Sequence, residues 1–159
     1  MVFGLGKTSQ EVADISESLI AKADRLLITR VEEDTYELVR TRLPDAYYHK
    51  RARAVVVDRR LSLNPMPGVL VVSGGTADLP VADEAILTAE LMDSKVEHLY
   101  DVGISGVHRL LDRLPLLQKA RVIVVAAGME GALPSLVGGL VSAPVIAVPT
   151  SVGYGANFG

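Results

Sequence analysis

Three glycine-bearing loops, opening at Gly74, Gly103 and Gly128, each follow a short apolar, β-rich run and each lead into a helical pattern. They lie 29 and 25 residues apart, the length of one strand plus one crossover helix. Strands linked in that way run parallel, and the crossovers are right-handed. The first run, residues 68–73, is a continuous Val/Leu burst of the kind buried on both faces. After it, Ala82, Ala85, Ile86, Ala89 and Met92 recur at helical spacing, with Pro80 in the first turn and Asp83 and Glu84 near the positive helix end. The unit repeats as a strand over 96–102, a turn at 103–106 and a helix over 107–117. A third strand over 121–126, a loop at 128–131 and a helix over 133–141 follow, and a strand over 143–148 ends in Pro149-Thr150-Ser151. The fold class expected is α/β: a doubly wound, mainly parallel sheet of the flavodoxin/Rossmann three-layer type over residues 68–159.

The first half has a different pattern and is expected to form a small α/β portion over residues 1–60. Thr8-Ser9-Gln10-Glu11 is a capping box opening a helix whose apolar face reads as Val12, Ile15, Leu19 and Ile20. Leu26 to Ile28 reads as a strand, Tyr36 to Leu43 as a helix halted by Pro44, and alternation over 47–57 as one strand. Residues 61–67, with two prolines and an asparagine, form the connector.

Composition removes several functions. No run of ~18 apolar residues is present, which excludes a membrane-spanning helix. The net charge of −3 lacks the basic footprint of a nucleic-acid binder. No cysteine is present, which excludes a disulfide framework, a thiolate metal site and a cysteine nucleophile within these residues. With no signal-peptide pattern, the expected setting is cytoplasmic. The glycine-rich end, residues 151–159, reads as the middle of a functional loop, so the expectation is a chain cut from a longer one.

In a doubly wound sheet, ligands bind outside the carboxyl ends of the strands. Four loops open there: Ser73 to Asp78, Gly103 to Arg109, Gly128 to Glu130, and Thr150 onward. Glycine amides and helix N-termini favour phosphate or carboxylate, although a tight strand-to-helix turn selects glycine equally well. Neither the dinucleotide Gly-x-Gly-x-x-Gly fingerprint nor a P-loop is present. Asp78 is a candidate for gripping a ribose hydroxyl or moving a proton, against a plain N-cap role. His108 follows a glycine-rich loop and is a candidate proton shuttle, whereas His49 and His98 lie in strands away from this edge. For Arg109, ligand binding competes with pairing to Asp112. Glu130, between Met129 and Gly131 and flanked by apolar segments, is a candidate for a desolvated general base, against a role at the helix dipole. Lys50, Arg51, Arg53, Arg59 and Arg60 read as the exposed side of a strand.

From residue 69 to 149 these motifs resemble PurE, the catalytic subunit of phosphoribosylaminoimidazole carboxylase. Its Gly-Ser-x-Ser-Asp reads here Gly74-Gly75-Thr76-Ala77-Asp78, its Ser-Ala-His-Arg reads Gly106-Val107-His108-Arg109, and its last strand reads Pro144 to Pro149. Both serines of the first motif are replaced, and Ala132 stands where PurE has a histidine.

A longer likeness begins at Phe3-Gly-Leu-Gly-Lys-Thr8. Together with Gly75 to Ala82, Tyr100 to Leu111, Gly128 to Pro134 and Pro149 to Gly155, it resembles LarB, the PurE-related protein of nickel-pincer cofactor synthesis, relatives of which carry the label circadian phase modifier. The resemblance implies carboxylation of the pyridinium ring of nicotinic acid adenine dinucleotide by CO2 or bicarbonate, then phosphoanhydride hydrolysis releasing AMP. It places the ring-activating thiolate on a cysteine beyond the Gly-Tyr-Gly loop. Within it Glu130 is assigned to removing the ring proton and His108 to assisting. Asp78 with Ser73, Gly74, Gly75 and Thr76 holds ribose and phosphate. Arg109, Gly128, Met129, Thr150, Ser151 and Tyr154 line the nucleotide pocket. No covalently bound cofactor is expected. Mg2+ is a candidate for the hydrolytic step, but no metal-ligand cluster is visible. The expected partners are a small nucleotide and further copies of the chain, as a dimer up to the octamer of PurE-type folds, and neither nucleic acid nor membrane. Two alternatives stand beside it: a PurE-like carboxyaminoimidazole ribonucleotide mutase or carboxylase, and a non-catalytic nucleotide-binding regulator.

Overall fold

The Thr8 capping box forms as its spacing requires: the Glu11 amide donates to the Thr8 hydroxyl at 3.2 Å, and the Thr8 amide donates to the Glu11 carboxylate at 2.8 Å. In the computed structural model, which describes residues 1–128 and 131–151, this box opens α1, Ser9–Ile20. Helix α1 lies in a first unit, residues 1–64, with β1 (Val2–Phe3), β2 (Arg25–Thr29), α2 (Glu33–Arg42), β3 (Tyr47–His49) and β4 (Ala54–Asp58). The sheet order is β1-β2-β4-β3, with β1 and β2 parallel and the other pairs antiparallel. Its core joins Val12, Ala13 and Ile20 of α1 to Ile28, Val39, Val55 and Val57.

Two readings of this half are corrected. Residues 47–57 are a hairpin and not one strand, because Arg53 adopts a left-handed φ of 51° and its amide turns back to the Lys50 carbonyl. Lys50, Arg51 and Arg53 therefore belong to a turn. The buried stripe of α1 is Val12, Ala13, Ser16 and Ile20, which leaves Ile15 and Leu19 exposed. Steps of three and four from Val12 fit either stripe, and only the sheet packed against the helix selects one.

The second unit, from residue 65, contains β5 (Met66–Ser73), α3 (Leu79–Leu91), β6 (Ser94–Leu99), α4 (Val107–Leu111), α5 (Leu114–Lys119), β7 (Val122–Ala127), α6 (Ala132–Leu140) and β8 (Val145–Pro149). All four strands are parallel, in the order β6-β5-β7-β8. Helices flank the sheet as a doubly wound α/β fold requires. Ala82 of α3 packs with Val71 and Ala126 on one face, while Leu110, Leu117, Leu133 and Val137 pack with Leu70, Val72, Ile123 and Val125 on the other. The helix expected over 107–117 is broken at Asp112 and Arg113, since Pro115 cannot donate to the preceding turn and restarts the chain as a new first turn. Among the described residues no helix is long and apolar enough to cross a membrane.

Candidate functional site

In the sheet order β6-β5-β7-β8, β5 and β7 are the neighbours whose following crossovers leave in opposite directions. The crevice above such a switch point is where open α/β sheets bind ligands. The loop after β5 begins at Ser73 and passes through Gly74 and Gly75 into a short 3-10 turn, Thr76–Asp78, ahead of α3. The Gly74 amide donates to the Ala126 carbonyl at 3.1 Å, and the Thr150 amide to the Ala127 carbonyl at 3.1 Å. The ends of β5, β7 and β8 are thereby tied together at one edge.

Asp78 is the centre of this edge. It is 6% exposed, and its side chain does not cap α3. One oxygen, Oδ2, accepts the Gly75 amide at 2.8 Å, and the other, Oδ1, accepts the Thr150 hydroxyl at 2.6 Å. Thr150 is 4% exposed, so this bond is shielded from water and correspondingly strong. It joins residues 72 apart in sequence, across the carboxyl end of β7. Ser73 is fully buried at the end of β5, and its hydroxyl has no hydrogen-bond partner among the described residues. Thr76 and Ser151 are exposed.

The second loop is held against the first. The Gly103 amide donates to the Gly74 carbonyl at 2.8 Å, and a Cβ at Gly103 would stand 2.7 Å from that oxygen. Only glycine permits this approach. Farther along, His108 and Arg109 are exposed on α4. The Arg109 guanidinium lies over Gly106 and donates through Nε to the Asp101 carbonyl at 2.7 Å, with the Asp101 carboxylate 3.5 Å from the guanidinium. Sequence reasoning weighed Asp112 as its partner and missed Asp101, whose left-handed φ of 57° turns the chain to meet Arg109. A shallow concavity of about 330 Å3 lies beside this pair, between Tyr100, Val102 and Arg113.

A second buried carboxylate was assigned to the helix dipole alone. Asp83 is 3% exposed and accepts the Tyr100 hydroxyl at 2.8 Å, and the Tyr100 ring stacks on His98 at 4.4 Å. The signal available was a polar residue on the sheet-facing side of α3, one step from Ala82.

The third loop is described at Gly128 and from Gly131, which adopts a left-handed φ of 71° to enter α6. Glu130, Met129 and Tyr154 lie outside the described residues. The structure therefore brings together Ser73, Gly74, Gly75, Asp78 and Thr150, and sets His108 and Arg109 on the neighbouring loop. Among the described residues no group of three or more His, Asp or Glu could hold a metal ion.

Comparison with known proteins agrees with this fold. Residues 68–157 match the model of the AIR carboxylase family, and residues 1–59 match that of the LarB/PurE-like N-terminal domain. The chain belongs to the LarB/PurE-related AIR carboxylase family. An uncharacterized protein of Methanocaldococcus jannaschii is 36% identical over 163 residues, covering 98% of this chain and 64% of that protein. The N5-carboxyaminoimidazole ribonucleotide mutase of the same organism is 32% identical over 84 residues, 51% of each chain. The chain thus spans between half and two thirds of the length of these relatives.

Proposed function

We propose that this chain forms the nucleotide-binding part of a LarB-like enzyme that carboxylates the pyridinium ring of nicotinic acid adenine dinucleotide and then cleaves its phosphoanhydride to release AMP. The observation that carries the reading is the pairing, in one chain, of a LarB/PurE-like N-terminal domain with an AIR carboxylase domain. The first loop supports it: Gly75 and Ala77 replace the serines of the PurE motif while Asp78 is kept, so the crevice is altered for a different nucleotide and not abolished.

The chemistry divides the labour. A pyridinium carbon is too electron-poor to attack CO2. Addition of a thiolate to the ring gives an enamine whose carbon can attack, and loss of the ring proton and then of the thiolate restores aromaticity. These 159 residues contain no cysteine, so on this reading they supply the cradle and the acid–base side of the site, not the nucleophile. The Gly74 and Gly75 loop and Asp78 receive phosphate and ribose, Glu130 removes the ring proton, and His108 assists. The described residues assemble no ligand set for Mg2+.

The mutase match favours a second reading, a PurE-like carboxylation or carboxylate transfer on aminoimidazole ribonucleotide. Calorimetric titration separates the two. The LarB-like reading expects binding of nicotinic acid adenine dinucleotide without turnover in radiolabelled bicarbonate, and weak or no binding of aminoimidazole ribonucleotide. The reverse preference supports the second reading, and binding of neither overturns both.

A further inference from the structure

Among the described residues the Asp78 carboxylate accepts two hydrogen bonds. The Gly75 amide occupies Oδ2 at 2.8 Å and the Thr150 hydroxyl occupies Oδ1 at 2.6 Å. A carboxylate offers roughly four lone-pair positions, so acceptor capacity remains on each oxygen. A Cβ built on Gly74 would stand 3.1 Å from Asp78 Oδ2, tighter than ordinary contact, so glycine is what lets the first loop lie directly against the carboxylate.

We propose that Thr150 is a positioning residue: by donating to Asp78 it fixes the carboxylate above the β5/β7 switch point as a pure acceptor for the vicinal hydroxyls of a ribonucleotide. The inference rests on the nucleotide reading above, in which Asp78 receives the ribose, and goes beyond it by making Thr150 of the fourth loop the residue that sets the carboxylate for that role. A hydroxyl anchored by its own backbone is suited to this. The Thr150 amide is fixed on the Ala127 carbonyl at 3.1 Å, so the side chain is referred to the end of β7, which the ligand must also face. Without the hydroxyl, Asp78 keeps among the described residues only the Gly75 tether from its own loop and is free to turn away.

The test uses the 159-residue chain, with nicotinic acid mononucleotide and its 2′,3′-dideoxy counterpart as calorimetric ligands. Thr150→Val keeps the shape and removes the donor. The expected result is about a tenfold weaker affinity for the mononucleotide, from loss of a hydrogen bond to a charged group. Thr150→Ser, which restores the donor, should stay within about threefold of the parent. The dideoxy ligand should bind the parent more weakly and lose nothing further in Thr150→Val, an equality that general loosening of the loop would not produce. If Thr150→Val weakens both ligands alike, or neither, the positioning role is overturned. If the folded parent binds neither the mononucleotide nor the dinucleotide, the nucleotide reading itself fails and the inference with it.

Discussion

The two units of this chain use polar residues in opposite ways. The first, with 11 of the 16 basic and 10 of the 19 acidic residues, spends them on its own surface. Arg42 pairs with Asp14 and Glu17 and Arg59 with Asp45, while Arg60, its side chain largely covered, pairs with Asp58. The Arg59 guanidinium holds the Asp45 carboxyl below the usual range, and Arg60 does the same for Asp58. In the second unit the hydrogen bonds that stand out lie at the carboxyl edge of the sheet, where Asp78, Thr150 and the Gly74–Gly103 contact join three loops. Exposed pairs stabilise little, whereas a buried carboxylate must be satisfied fully and so fixes geometry. On the proposed reading the chemistry belongs to the second unit, while the polar residues of the first pair among themselves.

The largest effects should come from the cores. Ile28→Ala in the first unit and Ile123→Ala in the second each empty a fully buried site, and each should cost about 2–5 kcal/mol. Amide exchange read separately on the two units should show each loss in the unit that carries the substitution. A cost near zero in either unit would show that its core is not the one described.

Next comes Gly103→Ala, which forces a Cβ against the Gly74 carbonyl and should cost about 1–3 kcal/mol while weakening nucleotide binding. Thermal melts and calorimetry would register both, and unchanged binding would separate the two loops functionally. Thr8→Ala removes the cap of α1 and should cost about 1 kcal/mol without touching binding. Gly138→Ala is the converse case. Its Cβ would meet nothing within 4 Å inside α6, so the helix should gain about 0.5–1 kcal/mol.

The smallest effect is acidic. Asp45 and Asp58 have lowered folded-state values, so their contribution is complete above the unfolded carboxylate value of about 3.9 and is lost as pH falls through the lower folded values. The first unit should therefore lose stability below about pH 4 in a denaturant series, and a flat acid limb would contradict the role given to these pairs.

The repeat of strand, glycine loop and helix made the parallel sheet legible, and the Thr8 box made α1 legible at its first residue. Other features were not local. The turn between β3 and β4 lacks Gly, Pro and Asn, and rests on Arg53 in a conformation that no sequence pattern marks. Two stripes of α1 were equally apolar until a sheet chose between them. The Pro115 break was available in the sequence but was outweighed there by the apolar periodicity around it. At the site, Asp78 was singled out for two roles, and the structure gives its side chain neither the simple N-cap nor a solitary position. Its partner Thr150 lies 72 residues away, a contact that one sequence cannot encode visibly.

The central claim is that the nucleotide is received at the β5/β7 switch point of the second unit. A 15N-resolved NMR titration with nicotinic acid adenine dinucleotide tests it most directly. The account predicts shifts at the amides of Gly74, Gly75, Gly103, Gly128 and Thr150, with residues 1–58 unmoved. Shifts concentrated in the first unit, or none at the carboxyl edge at saturating dinucleotide, would contradict it.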